Sequence, residues 1–331
     1  MIQRPTVKEQ VLQTLEERKG ESVSGEMLAE QLGVSRTAVW KAINSLRDAG
    51  YTITAGTNRG YCLEEGNELL SAQGIRPFLD EKWIDVPIYT YKTLESTNKT
   101  AKQLALENAV HGTTVFSNRQ TDGRGRLGRD FFSPDSTGIY MSVLLKPDFD
   151  ITKSVLVTTA ASVAVARAIE KLFDVECKIK WVNDIYIDNR KICGILTEAV
   201  TNFESGQIEY VVLGIGINCT PPSGGFPPEI RDIAGAICAD PAEAAAFPRN
   251  NLAAELINQV LDIVENLPER AFIKEYRERS LVVGQEISVI RNGVPTPGKA
   301  LYIDNDGALI VQLQKGGMQT LNSGEISIRL T

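Results

Sequence analysis

The apolar residues change their spacing twice along this chain, and no single small fold accommodates all three patterns. Up to Gly50 they recur every three to four positions, as on one face of a helix. From Trp83 to Asn266 strand-like runs surround helical stretches, and beyond Ser280 only short strand-like runs remain. The length of 331 residues agrees with two or three compact units, at roughly 150 residues per domain. The expected class is multidomain α+β.

In the first segment Thr6-Val-Lys-Glu9 has the form of a capping box, and Val7, Val11, Leu12 and Leu15 follow at helical spacing. Ser24 caps a second helix carrying Met27, Leu28 and Leu32, which Gly33 ends. Ser35 caps a third. There Val39, Ile43 and Leu46 form an inward stripe, leaving Arg36, Thr37, Lys41 and Asn44 outside. Tyr51–Thr54 and Tyr61–Leu63 are short strand-like runs around Gly56–Gly60, a hairpin tip bearing Arg59. Helices joined by a glycine turn, then a basic hairpin, describe a winged helix-turn-helix over residues 1–64. The chain is acidic overall, with 42 Asp and Glu against 35 Lys and Arg and a net charge of −7. Residues 33–60 reverse that sign, with Arg36, Lys41, Arg47 and Arg59 against Asp48 alone. Ser35, Arg36, Thr37, Lys41, Asn44 and Arg59 are therefore the candidate DNA contacts. The alternative is a helical cap whose basic face is only solvated. Trp40 is expected to pack in the core or at a domain interface. Residues 65–82 read as a linker containing a helical stretch, Ala72–Leu79.

A single histidine, His111, excludes two-histidine zinc sites and any triad that does not use it; it reads as a turn residue before Gly112. Five cysteines, scattered and without a C-x-x-C pair, argue against a disulfide framework and a thiolate zinc site. The most apolar stretch, Ser154–Phe173, contains Arg167, Glu170 and Lys171 and so reads as a buried helix rather than a membrane span. With no secretory pattern at Met1–Pro5, a cytoplasmic location is expected.

The strand-like runs of the middle segment are Ile88–Tyr91, Thr113–Ser117, Ile139–Leu145, Lys178–Ile187, Ile192–Val200 and Tyr210–Ile217. Helices are expected over Ser96–Asn108, Ser154–Phe173 and Asn250–Asn266. Short turns such as Asp188-Asn-Arg190 predict a largely antiparallel or mixed sheet. The densest chemical signal is Gly123-Arg-Gly-Arg-Leu-Gly-Arg129: glycines let backbone approach a ligand, and guanidinium groups match carboxylate or phosphate. A flexible basic surface loop is the competing account. Lys180-Trp-Val-Asn-Asp184 and Arg190-Lys-Ile-Cys-Gly194 can bring the Asp184 carboxylate and the Lys191 ammonium into one cavity. Gly214-Ile-Gly-Ile-Asn218 puts small residues on an apolar strand, where a planar ligand can lie against backbone, or a bulge or tight sheet packing can account for them. In the last segment Glu286–Arg291, Lys299–Ile303, Ala308–Leu313, Met318–Leu321 and Ile326–Leu330 read as the strands of a small barrel, with Asn292-Gly293 and Asp304–Gly307 as turns.

Taken together, Ser96-Thr-Asn98, Gln120 with the Gly123–Arg129 loop, the Lys180–Asp184 run, Lys191 with Gly194, and Gly214-x-Gly-x-Asn218 closely resemble the bifunctional biotin-protein ligases that are also biotin operon repressors. The likeness covers essentially the whole chain. It implies a class II synthetase-like catalytic domain at 83–272 and an SH3-like domain at 280–331. It implies that biotin and ATP, with Mg²⁺, give biotinyl-5'-AMP, and that biotin then passes to a lysine of biotin carboxyl carrier protein. By the same resemblance Ser96, Thr97, Asn98 and Gln120 face biotin, Gly194 and Gly214 line its pocket, and Gly123 and Gly125 shape the loop. Arg124 and Arg126 hold carboxylate or phosphate, Lys191 neutralises their junction, Asp184 serves the acceptor lysine, and Asn218 lies in the surroundings. It further implies that the adenylate favours a homodimer that binds operator DNA. Leu127 and Val182 depart from the arginine and proline common in the family. Two other functions fit the same chain: a ligase whose winged domain binds no DNA, and a ligand-responsive transcription factor without ligase activity. Lipoate is the competing acid.

Overall fold

The computed structural model describes residues 5–56, 59–146, 154–201, 208–240, 247–291, 294–322 and 325–328. The expected wing-tip residues Thr57 and Asn58, the Asn292-Gly293 turn and the end of the last strand lie outside them.

The first domain holds α1 (Val7–Glu17), α2 (Gly25–Leu32), α3 (Arg36–Asp48) and the hairpin β1 (Ile53–Gly56) and β2 (Gly60–Leu63). Side-chain caps start all three helices: the Glu9 amide donates to Thr6 Oγ1 at 3.3 Å, Met27 to Ser24 Oγ at 3.0 Å and Ala38 to Ser35 Oγ at 3.2 Å. Gly33 ends α2 at φ +64°, a left-handed conformation that glycine adopts without strain. Val11, Leu15, Leu28, Ile43, Leu46 and Leu63 close a core of their own. Trp40 is not part of it. Its ring is 55% exposed, because the inward stripe of α3 is already filled by Val39, Ile43 and Leu46 and Trp40 points a full 100° away from Val39.

The segment after Leu63 is built into the next domain. Leu70, Ile75 and Leu79 are buried in the large core, and α4 (Ala72–Ile75) passes into a tight turn at Arg76–Phe78 instead of continuing, since Pro77 cannot extend the helix. The backbone here is held by side chains of α7 (Arg249–Glu265). Asn250 Oδ1 accepts from Ser71 N at 3.2 Å, and Asn258 Oδ1 accepts from Asp80 N at 3.1 Å.

Among the described residues the central sheet has seven strands: β3 (Ile88–Tyr91), β4 (Thr114–Ser117), β5 (Gly138–Leu145), β6 (Lys178–Lys180), β7 (Asp184–Ile187), β8 (Arg190–Thr201) and β9 (Ile208–Asn218). Their order is β3-β4-β5-β9-β8-β7-β6. Only β3 and β4 are parallel, so the sheet is mixed as expected. The run Lys178–Ile187 is two strands, not one. It folds back at Trp181–Asn183, where Trp181 and Val182 are buried and Asn183 Nδ2 donates to Ile195 O at 2.8 Å, long-range contacts that outweigh strand propensity. α6 (Ser154–Leu172) and α7 share one core with one face of the sheet, while α5 (Thr97–Leu106) packs on the other. α6 is buried on nearly all sides from Val157 to Ala166, which is why its sequence lacks a polar face.

After α8 (Phe272–Glu278) the chain forms β10 (Glu286–Arg291), β11 (Val294–Ile303), β12 (Leu309–Leu313), β13 (Met318–Leu321) and β14 (Glu325–Ile328). They make an antiparallel sheet in the order β13-β12-β11-β10-β14. Ile303, Leu309 and Val311 join the central core rather than forming a separate one.

Candidate functional site

On the α5 face of the sheet lies a cavity of about 760 Å³. The N-terminus of α5 brings Ser96, Thr97 and Asn98 to it, and Gln120 follows β4 into the same wall. Arg124, Gly125 and Arg126 come from the glycine loop, Asp184 and Lys191 from the β7–β8 hairpin, Gly194 from β8, and Gly214 and Asn218 from β9. Of the residues singled out from the sequence, only Gly123 does not line it. A Cβ at Gly123 would stand 2.5 Å from Phe131 O and 2.6 Å from Ser133 Oγ, so its smallness lets the loop fold back on itself.

Lys191 and Gly194 are an odd number of residues apart on one strand and would ordinarily face opposite sides. A register shift opposite Ile185/Tyr186 pairs Asp184 with Gly194 but Tyr186 with Lys191, and so turns Lys191 to the cavity side. Its Nζ lies 2.7 Å from Asp184 Oδ1, with both side chains largely buried. Its backbone is tied to the far rim, with Lys191 N donating to Ile233 O at 2.8 Å and Gly235 N to Lys191 O at 2.9 Å. Asn218 supports that rim by donating from Nδ2 to Gly235 O at 2.9 Å.

Arg126 Nη1 donates to Oδ1 of Asn183, the neighbour of Asp184 in sequence, at 3.0 Å. Arg124 is half exposed and held between Asp122, at 2.8 Å, and Asp130, at 3.3 Å. Gln120 is fully engaged: its Oε1 accepts from Thr97 N at 2.8 Å and Thr97 Oγ1 at 3.1 Å, and its Nε2 donates to Ser133 Oγ at 3.0 Å. Cys193 also lines the cavity, but complete burial pushes its thiol well above the usual range, leaving a neutral group unsuited to nucleophilic attack. Burial beside Asp184 likewise pushes the Tyr186 phenol to about 12.

Gly214 and Gly216 of β9 line the cavity and are also closely packed. A Cβ at Gly214 would lie 2.2 Å from Asn98 Oδ1, and one at Gly216 would lie 2.4 Å from the Phe131 ring. They make room for the protein's own side chains. Phe131, Asn183, Gly216, Phe226 and Ala234, together with Ile290 and Ile326 from the last domain, were not singled out from the sequence as site residues although they line the cavity. Gly216 and Asn183 fall in noted motifs; the others carry no local signal. His111 is away from the cavity, its Nδ1 accepting from Lys146 N at 3.0 Å.

On the winged domain Arg36, Thr37, Lys41 and Arg59 are exposed, and Asn44 is partly so. The Ser35 hydroxyl is occupied as the cap of α3. Trp40 stands among them, one turn from both Arg36 and Asn44.

A helix-turn-helix module joined to a mixed-sheet domain whose cavity is lined by Arg124, Arg126 and Lys191 has the make-up of a ligand-binding enzyme with a DNA-binding class of appendage. Three family models match in that order: an HTH domain at residues 7–62, the biotin/lipoate A/B protein ligase family at 90–218 and the biotin protein ligase C-terminal domain at 282–329. The chain is 33% identical to the bifunctional ligase/repressor BirA of Bacillus subtilis, covering 98% of this chain and 99% of the relative. It is 29% identical to BirA of Escherichia coli, with 94% of each chain covered. A biotin protein ligase from Aquifex aeolicus solved in complex with biotin and ATP superposes with a TM-score of 0.61 at 25% identity, over 74% of this chain and 99% of that one. The chain belongs to the bifunctional ligase/repressor family.

Proposed function

We propose that this protein joins biotin to AMP in the described cavity, transfers the biotinyl group to a lysine of a carrier domain, and uses the bound adenylate to control DNA binding. The observation that carries the chemistry is that Arg126, the Lys191–Asp184 pair and the polar residues at the start of α5 line one cavity.

A carboxylate is a poor acyl donor until its oxygen is converted to a leaving group. Its attack on the α-phosphorus of ATP forms the new P–O bond and expels pyrophosphate. Negative charge then crowds the carboxyl-phosphate junction, where Arg126 and Lys191 stand and which Arg124 reaches by leaving its aspartates. Preorganised cations stabilise that charge more in the transition state than in the ground state. In the second step a lysine amine attacks the acyl carbon, AMP departs with the former carboxylate oxygen, and the amine proton is taken up by Asp184 once Lys191 has turned towards phosphate. Among the described residues no group of three or more His, Cys, Asp or Glu could hold a metal. Mg²⁺ would accompany the triphosphate and offset part of its charge.

The exposed cations of α3 and the wing support binding to operator DNA, and a two-fold homodimer would match an inverted repeat. Among the described residues no helix is long and apolar enough to cross a membrane, and ATP and carrier protein both point to the cytoplasm. Mass spectrometry of a biotin carboxyl carrier domain incubated with protein, biotin and Mg-ATP should show addition of one biotinyl group, which lipoate does not replace. An unmodified carrier and no pyrophosphate release would overturn the reading. Operator retardation that grows with biotin plus ATP tests the regulatory half.

A further inference from the structure

Behind the wall formed by Thr97 and Asn98 stand side chains that belong to no motif. Glu198 on β8 accepts from Asn98 Nδ2 at 2.7 Å and from Lys102 Nζ at 2.6 Å. A carboxylate paired with an ammonium only accepts. The Asn98 amide is thereby fixed with its nitrogen towards Glu198 and its oxygen away. That oxygen lies 2.6 Å from Oγ of Ser142, a fully buried residue of β5. Having no proton of its own, Asn98 Oδ1 accepts from the Ser142 hydroxyl. That hydroxyl also stands as donor 2.8 Å from Thr97 Oγ1, whose own proton goes to Gln120 Oε1 at 3.1 Å. Donation thus runs from Ser142 into the wall, and from the Asn98 amide on to Glu198. What remains on the cavity side is an acceptor at Thr97 Oγ1 and the second N–H of Asn98 as a donor.

We propose that Ser142, backed by Glu198, is a positioning residue that sets the hydrogen-bond polarity of the wall against which the polar head of the substrate rests. This depends on the reading of the cavity as a biotin site. A urea offers N–H donors and a carbonyl acceptor, the complement of that wall. Ser142→Ala leaves Asn98 Oδ1 buried without a donor, and Glu198→Gln presents either an oxygen or a nitrogen, so the Asn98 amide can turn over.

The test is calorimetric titration of the full chain and both variants with biotin and with 2-iminobiotin, in which the urea carbonyl becomes an imine. Each variant should bind biotin about 10-fold more weakly, and its preference for biotin over 2-iminobiotin should shrink. The kcat for pyrophosphate release at saturating biotin should stay within about threefold. A purely structural role would lower the thermal midpoint and leave the ratio of the two affinities unchanged. An unchanged ratio in both variants overturns the proposal while the biotin reading stands. Absence of biotin binding by the unaltered chain overturns both.

Discussion

In the proposed reaction Lys191 carries the most weight, because a one-residue register shift turns its ammonium towards the cavity. Replacing it with glutamine should lower the rate of pyrophosphate release by about 10²- to 10³-fold while leaving the thermal midpoint nearly unchanged; an equal loss of both would point to a structural lysine. Gly214→Ala places a methyl group where Asn98 Oδ1 now sits, so biotin affinity should fall by about 10-fold or more in equilibrium titration. These residues were legible because their motifs are contiguous and chemically uncommon. Ser142 and Glu198 were not, since an isolated serine and glutamate on strands acquire meaning only when α5 is laid across them. The β9 glycines were legible as places of close approach, but the two side chains that meet them, distant in sequence, were not.

Single elements show the same division between local and distant causes. The caps at Thr6, Ser24 and Ser35 were readable, because each acts within three residues. Ser35→Ala should cost about 1 kcal/mol in urea denaturation of the winged domain and weaken operator binding with it. The fold-back at Trp181–Asn183 was hidden, because its support comes from β8 and Gly307, whose carbonyl accepts from Trp181 Nε1 at 3.0 Å. α1 carries a pH dependence that periodicity did not reveal. Burial, helped by Glu68 and opposed by Lys19, raises the Glu16 carboxyl from 4.5 to about 7. Folding therefore favours the protonated acid: its contribution is complete below about 4.5 and is lost as pH rises through about 7. Urea midpoints of the winged domain should fall between pH 5 and 8, and Glu16→Gln should flatten that slope; a slope unchanged by the substitution would assign it to another group.

Among the described residues the three domains divide two large cores between them, with a smaller apolar cluster beneath α5. The winged domain closes its own, while the central and last domains share a continuous one. Scanning calorimetry should accordingly resolve two transitions, and biotin with Mg-ATP should raise only the larger, since a ligand stabilises the unit that binds it. A single transition, or one raised in both parts, would contradict this division. The three-part organisation was visible in the changing hydrophobic period, but the fusion of the last two parts was not, because Ile303, Leu309 and Val311 read in sequence like any barrel interior.

The first domain meets the connecting segment through α1 packed on α4 and through polar contacts, among them Lys19 Nζ at 2.8 Å from Glu68 Oε1. A module with a core of its own can be exchanged. Grafting a different reader of genes ahead of Leu70, with the Lys19–Glu68 contact retained, would put another set of promoters under the control of vitamin supply without disturbing a single atom of the reaction centre.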